Sequence, residues 1–145
     1  MMDIRIWAIV AAVVALAFVG YLASTILRQS EGNQKMRELV QKGVLGHIGV
    51  VRRRHCINVL FNEGFVNGPT KWHIDPEKNR GMFMDDAVHA TDWFRWMLGD
   101  PVSVMAEIDA ILTHVAPDDN GAALYRFENG ELGILYNGST TLAGE

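Results

Sequence analysis

Cysteine is nearly absent from this chain. Cys56 stands alone among 145 residues, which excludes an internal disulfide and leaves no thiol partner for a zinc cluster. Its default reading is a buried structural thiol. Surplus positive charge is missing too: the net charge is −4, and no nucleic-acid footprint follows from it. No G-x-G-x-x-G occurs anywhere. Gly43, Gly46 and Gly49 form the nearest cluster, but they follow a helix-like stretch instead of joining a strand to a helix. A dinucleotide loop needs glycines that let a helix N-terminus reach the pyrophosphate, so no cofactor-binding motif of that kind is present.

Charge disappears altogether over residues 6–27, which are rich in Ala, Val, Ile and Leu. About 22 residues rising roughly 1.5 Å each reach roughly 33 Å, enough for a hydrocarbon core of about 30 Å. The apolar side chains lie all round the helix, with Trp7 and Tyr21 near its ends, where aromatic rings favour the interface. Residues 1–28 therefore read as a membrane-spanning or signal-anchor helix. A cleaved signal peptide has a shorter apolar part, about 7 to 15 residues. A join between unrelated segments at Arg28, where the character changes abruptly, is the other reading. Arg28, Lys35, Arg37 and Lys42 outweigh Arg5 across the span, so the expectation is a single-pass membrane protein with its globular part in the cytoplasm.

Residues 29–145 leave room for one small core. A short helix is expected over 34–42 with Gly43 as its stop, then a strand over 48–60. That strand holds the one basic cluster, Arg52-Arg53-Arg54-His55, read as a solvated face or a guarded edge. A long loop covers 62–83, and loops of that length are usually functional or disordered. Trp72 within it is either the apolar wall of a pocket or a pin onto the core. A helix follows over 84–98, closed by Gly99 and Pro101. Strands are expected over 102–112, 122–127 and 131–136, the last two joined through Asn129-Gly130 in a two-residue turn with positive φ at both positions. The fold class is α+β, a mainly antiparallel sheet with helices on one face behind the N-terminal hydrophobic helix.

The run Gly81-Met82-Phe83-Met84-Asp85-Asp86-Ala87-Val88-His89-Ala90-Thr91-Asp92-Trp93 carries the chemistry. Residues four apart on a helix share a face, so Asp85 and His89 point the same way, with Asp92 one turn beyond. A carboxylate beside an imidazole sets its tautomer and basicity for proton transfer. The blander reading is an acidic first turn complementing the helix dipole. A divalent-metal site on Asp85, His89 and Asp92 is a third, though no clear further ligands accompany them.

Other segments stand in register with this one: Leu39 to Val51, Trp72-His73-Ile74-Asp75-Pro76, Trp96-Met97-Leu98-Gly99-Asp100-Pro101-Val102, Asp118-Asp119-Asn120-Gly121-Ala122 and Phe127-Glu128-Asn129-Gly130-Glu131-Leu132-Gly133. In this order and at these spacings they resemble the C-terminal domain of the Gfo/Idh/MocA (glucose-fructose oxidoreductase / inositol dehydrogenase) family, over residues 33–140. The resemblance implies that Asp85 and His89 are the catalytic pair, with Asp92 the following acid; Asp92 and, from its own place in the loop, Trp72 are expected to bind the substrate. It implies NAD or NADP as cofactor and a sugar, polyol or related hydroxyl compound as substrate. Departures are visible. The family's triple glycine reads Arg80-Gly81-Met82, Ala87 replaces a further glycine, and the Glu-Lys-Pro motif is absent. The chain is thus expected to be a partial substrate-binding and oligomerisation domain, its nucleotide domain supplied by a partner chain or a lost segment. The alternative is a non-catalytic, membrane-tethered remnant that associates with itself or a relative through its sheet.

Overall fold

The computed structural model describes residues 13–15, 18, 21, 22 and 28–141. The chain divides into two compact units, residues 1–46 and 47–145. In the first, helix α1 spans Glu31–Gln41. The Ser30 hydroxyl accepts from the Asn33 N–H, and Glu31 places negative charge at the positive end of the helix dipole. Gly43 follows the helix at φ +64°, as a C-terminal stop requires.

Among the described residues no helix is long and apolar enough to cross a membrane. The longer described helices are interrupted by charge: Glu31, Lys35, Arg37 and Glu38 in α1, and Asp85, Asp86, Asp92 and Arg95 in the helix of the second unit. The membrane-spanning helix expected over 6–27 is therefore not supported. The single-pass membrane localisation and cytoplasmic orientation drawn from it fall as well. Of that stretch, only residues 13–15, 18, 21 and 22 are described; they are helical and exposed, and the remainder lies outside the described residues.

The second unit is built on a four-stranded sheet in the order β1-β4-β3-β2. Its strands are β1 Val50–Cys56, β2 Pro101–Asp109, β3 Asn120–Phe127 and β4 Leu132–Gly138. β2–β3 and β3–β4 are antiparallel, but β1 runs parallel to β4. The sheet is mixed, which corrects the expected mainly antiparallel one. A parallel neighbour needs a crossover, and the segment between β1 and β2 supplies one with α2 (Glu63–Val66), a 3₁₀ turn (Lys71–His73) and α3 (Met82–Leu98).

Helix α3 lies across one sheet face. Its buried residues Ala87, Ala90, Trp93, Phe94 and Met97 recur at helical spacing, so one stripe faces the strands. Opposite them stand Tyr125 and Phe127 of β3 and Leu135 of β4, with Phe94, Phe127 and Leu135 at 0–1% exposure. Burying each such side chain contributes about 1.5–3 kcal/mol. Gly99, at φ +90°, ends the helix.

Strand β1 shows why the arginine cluster is not uniformly solvated. Successive strand residues alternate faces. Arg53 therefore turns inward, its guanidinium carbon 5.0 Å from the centroid of the Trp93 ring, while Arg52 and Arg54 point to the open face. Burial pushes the Arg53 guanidinium below its ordinary value.

The β3–β4 hairpin also differs from expectation. Asn129 does not have positive φ; Gly130 does, at +92°. The Gly130 N–H donates to the Phe127 carbonyl, and the Phe127 N–H to the Glu131 carbonyl. This is a type I turn followed by a left-handed glycine, the longer of the common hairpin loops.

Candidate functional site

The N-terminus of α3 begins at Gly81, whose φ of +141° suits glycine alone. A Cβ there would lie 1.7 Å from Asp118 Oδ2. That carboxylate, carried on the loop before β3, accepts the Phe83 N–H at 2.7 Å and so caps the helix from a distance of 35 residues. Burial pushes the Asp118 carboxyl up, against the stabilising backbone donors. The close approach that requires this glycine is thus to Asp118.

The expected loop over 62–83 is ordered by its own chemistry. Asn62 caps α2 through Gly64, and Phe65 and Val66 pack on a cluster of Leu60, Ile74, Met82 and Ala116. The 3₁₀ turn then presents His73, its ring stacked on Trp72 at 3.6 Å between centroids and on Phe65 at 5.4 Å. Asn79 donates to the His73 carbonyl at 2.7 Å. His73 Nδ1 lies 2.5 Å from Asp85 Oδ2. The carboxylate expected to pair with His89 is instead engaged by a histidine from the loop.

Asp86, next in sequence, faces the sheet. Its Oδ1 is 3.8 Å from His55 Nε2 of β1. Burial, then the neighbouring Asp85 charge, pushes the Asp86 carboxyl up to about 6. Burial lowers His55, with the nearby Arg53 charge adding to it. His89 follows one turn later on α3, half-buried, with Nδ1 enclosed and without a hydrogen-bond partner. That leaves Nε2 as the nitrogen able to meet a ligand.

Of the residues singled out from sequence, Trp72 and Asp85 are brought together through His73, and His89 stands one turn beyond. Asp92 is half-buried a turn further on, where its charge acts on Arg95. Sequence reasoning missed His73, Asp86, His55 and Asp118 as parts of the site. The only signal for His73 was its place beside Trp72 in a glycine- and proline-rich stretch, since twelve residues separate it from Asp85. Among the described residues no group of three or more His, Cys, Asp or Glu side chains is arranged to hold a metal ion.

The pyrophosphate of a dinucleotide does not fit at this helix N-terminus. The helix N-terminus that could receive a phosphate is filled by the Asp118 carboxylate, which is itself an anion.

The family model of the GFO/IDH/MocA C-terminal domain matches residues 33–145. Among solved structures, the chain is similar to the WlbA dehydrogenase from Bordetella pertussis in complex with NADH and UDP-GlcNAcA. The TM-score is 0.68 at 23% identity, over 79% of this chain and 34% of that one. It is similar also to myo-inositol 2-dehydrogenase from Lactobacillus plantarum, with TM-score 0.62 and 24% identity over 77% of this chain and 33% of that one. An oxidoreductase from Thermotoga maritima gives TM-score 0.64 and 21% identity, over 77% and 34%. The chain spans about a third of the length of these structures. Among curated proteins nothing matches.

Proposed function

This chain belongs to the GFO/IDH/MocA C-terminal domain family, and on that premise we propose that it is the substrate-binding portion of an NAD(P)-dependent oxidoreductase acting on a sugar, polyol or related hydroxyl compound. The observation that carries the reading is the His73–Asp85 pair under the Trp72 ring, with His89 one turn away. Trp72 is 40% exposed and offers a flat apolar face to the C–H groups of a sugar ring. Asp85 and His73 supply donors and acceptors for neighbouring hydroxyls. His89 Nε2 takes the proton of the reacting hydroxyl as general base, and Asp85 and Asp86 offset the charge it gains. Asp92 follows three residues after His89 on the same side of the helix and adds a carboxylate for a further hydroxyl. The hydride acceptor belongs to a nucleotide-binding domain that these residues do not provide.

The test is direct binding. Tryptophan fluorescence of the purified chain is followed as myo-inositol and UDP-N-acetylglucosamine are titrated, with NADH and NADPH in parallel. Saturable quenching by a hydroxyl compound is expected, lost in Trp72→Phe and weakened about tenfold or more in His89→Ala. No saturable response to either hydroxyl compound overturns the reading; tight NADH binding overturns the view that the nucleotide site lies elsewhere.

A second reading has its own observation. The sheet face away from α3 is open, with Ile134, Tyr136 and Leu124 exposed on its central strands and Met105 on the edge strand β2. Arg52 and Arg54 stand on β1 at one margin, and Glu107 on β2 at the other. A two-fold copy laid across this face sets arginines against glutamate, which suits a non-catalytic or supporting role in self-association. Light scattering on the wild-type chain and on Ile134→Asp decides it: a dimer that the substitution dissociates is expected, and a wild-type monomer at high concentration rules it out.

A further inference from the structure

Two adjacent carboxylates head α3, and each is faced by a histidine from a different element. The His73–Asp85 pair belongs to the site already described. The second pair, His55 and Asp86, lies behind it on the sheet side of the helix. His55 Nε2 and Asp86 Oδ1 are 3.8 Å apart, too far for a hydrogen bond. The other oxygen, Asp86 Oδ2, is buried without a partner. His89, three residues along and on the same helix face, has Nδ1 in the same condition. So has Oδ1 of Asn137, which is 1% exposed, faces α3 from β4, and is the register partner of His55.

A buried polar atom left unpaired is destabilising, and Asp86, His89 and Asn137 each present one. Their chemistry says what is needed. Asp86 Oδ2 and Asn137 Oδ1 are both acceptors, and a single donor with two protons can serve the pair. A buried water makes about three hydrogen bonds, which matches this set. The remaining bond falls to His89 Nδ1.

We propose that one ordered water, enclosed between α3 and strands β1 and β4, is shared by Asp86, His89 and Asn137, and that Asp86 is through it a positioning residue for His89. The water donates to Asp86 Oδ2 and Asn137 Oδ1 and accepts the Nδ1–H of His89. The imidazole is thereby held as the Nδ1–H tautomer, with the Nε2 lone pair free on the ligand side. When Nε2 takes a hydroxyl proton, the O–H electron pair stays on oxygen, an N–H bond forms, and the Asp86 carboxylate offsets the imidazolium from behind. This rests on the substrate-binding reading for its purpose, but its geometry is testable without any substrate.

The experiment is ¹⁵N NMR of the histidine ring nitrogens in the full chain at mildly alkaline pH. The Nδ1–H form is expected for His89 in the wild type. In Asp86→Asn that preference is lost, and in Asp86→Glu it is restored at least in part. A wild-type ring in the Nε2–H form, or one whose tautomer is the same in Asp86→Asn, overturns the proposal. Should the variant unfold, the wild type alone decides. Cross-relaxation between a long-lived water and the Asn137 side-chain NH₂ is expected, and its absence overturns the enclosed water. Neither readout involves a sugar. A chain that binds no hydroxyl compound yet shows the Nδ1–H tautomer sinks only the functional reading, and the reverse result sinks only this one.

Discussion

His73 and Asp85, twelve residues apart and on different elements, meet at 2.5 Å between Nδ1 and Oδ2. Their contact joins the 3₁₀ turn to the first turns of α3, and the stacked rings of Trp72 and Phe65 close over it. One interaction thus fixes both the wall of the site and the carboxylate at its floor.

It follows that removing either partner loosens the segment before α3 more than it unfolds the domain. Both side chains are about three-quarters covered, at 22% and 25% exposure, so the pair is worth more than a surface ion pair but is not deeply buried. Asp85→Asn and His73→Gln are expected to cost about 1–2 kcal/mol. Hydrogen exchange over residues 63–76 should rise by about tenfold while that of β3 and β4 stays near wild type. Unchanged exchange in that segment would show that the apolar cluster beneath it suffices.

The conformation at the head of α3 gives a sharper expectation. Gly81→Ala combines a φ of +141° with a Cβ placed 1.7 Å from Asp118 Oδ2. The carboxylate must withdraw, which also uncaps Phe83. A loss of about 3 kcal/mol or more is expected from strain and cap together, read as a fall in thermal midpoint. Gly43→Ala, at φ +64° with open space around it, is the comparison and should cost about 1 kcal/mol.

How far the chain could be read in advance divides along the range of the interactions. α3, the four strands and the stop at Gly99 follow local patterns, so they were legible within a few residues. The parallel pairing of β1 with β4 was not, because alternation along 50–56 says which face a residue takes and nothing about which strand lies beside it. For the same reason the cluster at 52–54 could not be seen to split, with Arg53 inward on Trp93. Asp85 and His89 were found by helical spacing. Their actual partners come from a 3₁₀ turn and a strand, so no spacing within the helix could disclose His73 or His55. The order of the segments nevertheless carried the family, because it samples the whole domain at once.

Asp119 tests how the loop after β2 is held. Its carboxylate, 1% exposed, accepts from the backbone N–H groups of Ile111, Leu112 and Thr113 and from the Asn120 side chain. Burial works against its ionisation, but these donors together hold the carboxyl below the usual carboxylate range. A depressed acid stabilises the fold above its unfolded value of 3.8, and that stability is lost as pH falls through the lower folded value. Asp119→Ala is expected to cost about 2–4 kcal/mol at pH 7 by orphaning those donors. It should also lose the part of acid unfolding that wild type shows below pH 4. An acid transition unchanged in the variant would assign that sensitivity to other carboxylates.

Asp86 has the opposite sign. Its carboxyl rises from an ordinary 3.8 to about 6, so the folded state holds a proton that the unfolded chain has released. Such a group favours folding fully below its unfolded value, and the advantage fades as pH climbs through the folded one. The rise corresponds to at most about 3 kcal/mol lost between pH 4 and pH 7, and water reaching the carboxylate reduces that figure. His55 works against it over part of this range: burial depresses the imidazole, so charging it as pH falls below 6.5 destabilises the fold. Wild-type stability near pH 6 is the balance of the two. Asp86→Asn removes one side of it, keeping the shape while deleting the buried charge. The variant is expected to match wild type at pH 4 and to exceed it by about 1–3 kcal/mol at pH 8, read from urea midpoints across that range. His55→Gln should flatten the acid side instead. A difference between Asp86→Asn and wild type that does not change with pH would mean that Asp86 is ionised throughout, the enclosed water's hydrogen bond to its inner oxygen being strong enough to offset burial.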